Sequence, residues 1–89
     1  MKFFPGDRVR ISAKSHWAQG ALGTIIEPPE FPQQLCEDCY PWDGWHRIVQ
    51  GRNGPIEFFF VSFDKPQIDA DGDGPYPGGE IKADMIEFA

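Results

Sequence analysis

"DRVRISAKSHWAQGALGTIIE" (residues 7–27) contains two short runs with the signature of β-strands. In "DRVRIS" the apolar Val9 and Ile11 alternate with charged or polar neighbours, a period of two that gives an extended chain one buried and one wet face. "ALGTIIE" (21–27) reads as a returning strand, and the polar segment "AKSHWAQG" between them carries a single aromatic, Trp17. Gly6 permits a tight entry into the first strand. Gly20 and Gly23 allow left-handed or crowded backbone at the return. These residues predict an antiparallel hairpin.

Working outward, "IEFFFVSF" (56–63) is the strongest strand in the chain, because aromatic and β-branched side chains fit a pleated surface. "WHRIVQ" (45–50) precedes it, and the intervening "GRNGP" offers Asn53-Gly54 as a hairpin turn. "ADMIEF" (83–88) closes the chain as a short turn and strand. Residues 28–44, "PPEFPQQLCEDCYPWDG", hold four prolines and predict an irregular excursion. The nine Pro and ten Gly of the 89 residues argue against long helices, while eight Phe, three Trp and two Tyr supply a core. The expectation is one mostly β domain over residues 1–89: a small five-stranded barrel with long connecting loops.

The layout of "FFPGDRVRISAKSHWAQGALGTIIE" (3–27) resembles the first hairpin of SH3-like small barrels: Gly-Asp opens a strand, a polar loop follows, and Gly-x-x-Gly-Thr starts the return. It is similar to KOW-type modules, the nitrile hydratase beta subunit, the ferredoxin-thioredoxin reductase variable chain and photosystem I subunit IV. "FFFVSFDKP" (58–66) and "EIKADMIE" (80–87) look like the penultimate strand and closing segment of such barrels, so the resemblance spans about two-thirds of the chain. It leaves out the excursion and the acidic stretch described below. SH3-like barrels serve many tasks, so the resemblance implies a fold more than a function. A KOW relationship implies RNA contact, whereas the photosynthetic relatives imply docking to a protein through a basic face.

Charge weighs between these. The net charge of −6 disfavours nucleic acid and anionic lipid. Its distribution is uneven: residues 1–26 carry Lys2, Arg8, Arg10 and Lys14 against Asp7 alone, and the acidic excess lies in the second half. A polarised surface suits docking to another protein. Arg8, Arg10, Lys14 and Trp17 on the first hairpin, with Trp42 of the excursion, are the expected partner-binding residues. No Ser-His-Asp set, phosphate-cradling Gly loop or HExxH pattern is present, so a non-catalytic interaction module or small accessory subunit is expected. The N-terminus "MKFFPGDRVR" lacks the apolar run of a signal peptide, and no stretch has the length of a membrane span. The expected compartment is the cytoplasm.

Two other chemistries compete. "DADGDGPYPGGE" (69–80) sets Asp69, Asp71 and Asp73 at alternate positions, a glycine sixth and Glu80 twelfth, the ligand spacing of an EF-hand calcium loop. Crowded carboxylates repel one another unless a cation intervenes, which is the argument for calcium as a cofactor; the plainer expectation is none. Against it, Pro66 and the preceding strand forbid an entering helix, and Pro75 pushes Gly74 toward extended backbone. The plainer expectation is a solvated connector whose Asp-Gly steps make turns. "CEDC" places Cys36 and Cys39 at metal-ligand spacing, with His46 following. Tetrahedral zinc needs four ligands, so His16 would have to come from the first loop. A redox CxxC normally opens a helix, and the prolines here provide none. Free thiols are the plainer expectation.

Overall fold

The computed structural model describes residues 2–29 and 42–89. Six strands run through them: β1 (Arg8–Ile11), β2 (Leu22–Ile25), β3 (His46–Gly51), β4 (Gly54–Gln67), β5 (Tyr76–Lys82) and β6 (Ile86–Phe88). A 3-10 turn over Ala83–Met85 joins the last two. All pairings are antiparallel, in the order β3-β4-β2-β1-β6, with β5 on β4.

The fold is mostly β, as the periodicity predicts, with two corrections. The described residues form six strands, where five are expected. The additional one, β5, arises in the second half of the stretch read as an acidic loop. The sheet is also open: the ordered path ends at β3 and β6, which do not pair, so a closed barrel is not formed. Among the described residues no helix is long and apolar enough to cross a membrane.

β4 organises the rest. Its first half pairs with β3 from Gly54 to Phe59, its middle with β2 from Val61 to Phe63, and its other edge with β5. Phe59, Val61 and Phe63 alternate inward along it and meet Val9 and Ile11 of β1, Ile25 of β2, Ile81 of β5 and Ile86 of β6. Phe3 packs edge-on against Phe59 at 5.2 Å between ring centroids. Both rings are fully buried. The predicted alternation of Val9 and Ile11 is therefore the core-facing register of β1.

Gly23 sets the approach of β2 to β4. A β-carbon there would lie 2.5 Å from the carbonyl oxygen of Ser62 and 2.6 Å from Val61 Cγ1. Crowding, not backbone handedness, requires glycine at this position. The β3–β4 hairpin forms as expected, with its centre moved one residue: Gly51 pairs with Gly54, leaving Arg52 and Asn53 as the two-residue loop. Gly54, at φ 120°, is the residue of this turn with positive φ.

β5 is improbable by composition, since Pro and Gly are depleted in strands. Its position explains the exception. Pro77 falls between the pairs Gln67–Tyr76 and Ser62–Gly78, where the register slips and no ladder N–H is demanded of it. Gly78 and Gly79 then admit close neighbours. A β-carbon at Gly78 would sit 2.7 Å from the carbonyl oxygen of Val61, and one at Gly79 would meet the indole of Trp17 at 2.6 Å.

Candidate functional site

Trp17 belongs to the loop between β1 and β2, which is held by its own backbone and by Ser15. The buried Ser15 hydroxyl donates to the Trp17 carbonyl at 2.8 Å, and the Gln19 side-chain amide donates to the Ser15 carbonyl at 2.7 Å. The Ser12 amide donates to the Met85 carbonyl at 2.8 Å, tying the loop to the 3-10 turn. Ala18 takes φ 55°, a conformation L-residues adopt only where surroundings hold it. Trp17 is thereby laid across Gly79, edge-on to Phe63 at 5.4 Å and to Tyr76 at 6.3 Å.

Between Trp17 and β5 lies an open groove of about 390 Å³. Trp17, Phe58 and Tyr76 give it aromatic surface, and Asp69, Asp71 and Glu80 give it carboxylates. His16 also lines it, and among the described residues no Lys or Arg does. A second hollow of about 370 Å³, beside Leu22 and Lys65, has no aromatic lining among the described residues.

The acidic turn on the groove's rim is organised by Asp69. One of its carboxylate oxygens accepts the amide N–H groups of Asp71 at 3.0 Å and Asp73 at 2.9 Å. Its backbone amide donates to the Asp73 carbonyl at 2.9 Å. Asp71 and Asp73 are exposed and make no ion pair among the described residues. Their charge is felt nearby: the Tyr76 phenol is raised above its ordinary pKa by desolvation first, then by Asp69, Asp73 and Asp71.

The residues that the EF-hand spacing groups fall on two elements, the aspartates before β5 and Glu80 within it. Glu80 is a β5 residue opposite Phe60, and its carboxylate is ion-paired with Arg47 of β3 across the intervening β4. Arg47 lies over the Trp42 ring, 5.3 Å from its centroid, and Trp42 in turn packs edge-on to Phe60 at 5.8 Å. Among the described residues no group of three or more His, Cys, Asp or Glu side chains is close enough to share a metal ion. Cys36 and Cys39 lie outside the described residues. His46 is mostly buried; its Nδ1 is 3.1 Å from Glu57 and its Nε2 3.5 Å from Asp43. The Glu57 contact has ion-pair distance without hydrogen-bond alignment.

The expected partner-binding residues divide. Arg8 is engaged within the chain: its guanidinium donates to Asp64 at 2.7 Å and to Thr24 at 2.9 Å. That pairing holds Asp64 below the usual carboxylate range and raises Arg8, hydrogen bonding being the larger cause in each case. Arg10 and Lys14 are exposed, without an ion pair among the described residues. Trp17 and Trp42 are half-buried. Trp45, whose indole N–H donates to the Phe3 carbonyl at 2.8 Å, is structural. Tyr76 and Phe58 were not foreseen as site residues. Tyr76 sits between two prolines in what reads as a connector, and Phe58 within a run of three phenylalanines that reads as core. In comparisons with protein-family models, curated proteins and solved structures, no match to this chain was found.

Proposed function

We propose that the chain is a non-catalytic protein-interaction module or small accessory subunit, built on a variant of the SH3-like small barrel. What supports the barrel reading is the long β4, which pairs successively with two strands on one edge and a third on the other. The docking surface is the Trp17 side of the first hairpin. The observation that carries this reading is the groove between Trp17 and β5, which joins aromatic surface with carboxylates. Grooves that hold peptide segments use such aromatic surface for affinity and a few charges for orientation. Arg8, committed to Asp64, is not part of the contact.

Site-specific photo-crosslinking in cells tests it. A benzophenone amino acid in place of Ala70, on the groove's rim, is expected to give one discrete covalent product with a single protein, identifiable by mass spectrometry. The same probe in place of Arg52, in the β3–β4 turn, is expected to give none. Absence of a product from position 70, or the same product from both positions, removes the reading.

A further inference from the structure

We infer that the groove between Trp17 and β5 receives an arginine side chain from an extended segment of the partner protein, the guanidinium lying against Trp17 and Tyr76 and paired with Asp71. This rests on the reading of the chain as an interaction module.

Three observations select that occupant. The first is charge. The groove is lined by carboxylates and by no Lys or Arg, and the chain as a whole carries −6, so both the local and the long-range fields draw in a cation. Asp69 already accepts two backbone amides and Glu80 is held by Arg47, which leaves Asp71, with Asp73 beside it, to meet the incoming charge. The second is shape. Trp17 and Tyr76 meet nearly perpendicular, at 89°, and both rings line the groove. A flat cation on a flexible stem enters such a corner while its backbone stays outside. The third lies in the same sheet. Arg47 stacks over Trp42 and pairs with Glu80, so this chain already joins a guanidinium, an indole and a carboxylate. Trp17 and Asp71 present the same two partner groups to the groove. Arginine fits better than lysine because its planar group stacks on a ring and forks onto a carboxylate at once.

The test uses the full chain and a blocked tripeptide, acetyl-Gly-Arg-Gly-amide, followed by two-dimensional NMR. Its control is the tripeptide with citrulline, which has nearly the same shape and no charge. The expected result is a saturable shift of the Trp17 indole N–H and of the Asp71 and Gly78 amides at millimolar peptide. Citrulline should bind about tenfold more weakly, as should the arginine peptide to Asp71→Asn/Asp73→Asn, a difference of about 1.4 kcal/mol. No shift with arginine, equal shifts with citrulline, shifts confined to the hollow beside Lys65, or full binding to the double variant would each overturn the inference. The two readings fail separately. A crosslinked partner without arginine binding leaves the module and removes the arginine; arginine binding without a crosslinked partner removes the module.

Discussion

Asp64 and Arg8 show how one residue pair can redirect a functional reading. Arg8 was expected on a basic docking face because it alternates outward on β1. The register that points it outward also brings it over β2 to Asp64 near the end of β4, where it clips three strands together. Since the folded-state pKa of Asp64 lies below its unfolded value, the contribution is fully present above the ordinary carboxylate range, near pH ~4. It is lost as pH falls through the folded value. Asp64→Asn is therefore expected to be slightly less stable than the parent at neutral pH, with the difference shrinking at pH ~2. Urea denaturation at the two pH values measures this; a difference that persists undiminished in acid would mean that Asp64 acts by something other than its charge. High salt should shrink the neutral-pH difference, because the pair is solvent-exposed.

At the scale of elements, β5 is the strand that makes the site. Gly79 gives Trp17 its seat, and Tyr76 at the strand's start forms the opposing wall. Gly79→Ala places a methyl group 2.6 Å from two indole carbons, so the ring must move. The expected outcome is a destabilisation of about 1–3 kcal/mol, the usual range for overpacking, together with a changed near-ultraviolet circular dichroism spectrum. An unchanged spectrum and stability would mean that Trp17 does not rest on Gly79. This element was also the least legible in the sequence. β1, β2, β3 and β4 announce themselves through alternation and aromatic content, and the closing turn and strand were read nearly to the residue. "PYPGG" carries no such pattern. Its strand character comes from the edge that β4 offers and from gaps only glycine fits, neither of which is written in local sequence. The acidic half of the same stretch was legible as Asp-Gly turns, and residues 70–71 do form a turn. Its calcium-loop spacing depended on Glu80 returning to the aspartates. β5 instead aligns Glu80 with Arg47, two strands away.

The whole molecule is a small curled sheet with its core gathered around Phe59. A chain of this length has a stability of about 4–13 kcal/mol. Phe59 is fully buried and touches Phe3 edge-on, and its truncation to alanine costs about 3–5 kcal/mol. Phe59→Ala is thus expected to lower the unfolding free energy by about 3–5 kcal/mol, as read by urea denaturation. A loss under about 1 kcal/mol would place the core elsewhere. Core identity was legible at this scale because the inward residues are the apolar members of alternating runs. Closure was not. Alternation specifies which face is buried, and it does not specify whether the end strands meet. β3 and β6, the two ends of the ordered path, do not pair.

The groove, its proposed partner and the role of Gly79 all require residues 76–82 to be a strand that carries Trp17 on its surface. Nuclear Overhauser spectroscopy of the labelled chain tests this most directly. Strong cross-peaks are expected between the distal indole protons of Trp17 and the α-protons of Gly79, with cross-strand contacts between Val61 and Gly79. Random-coil shifts for residues 76–82, with no contact from the Trp17 ring, would contradict it.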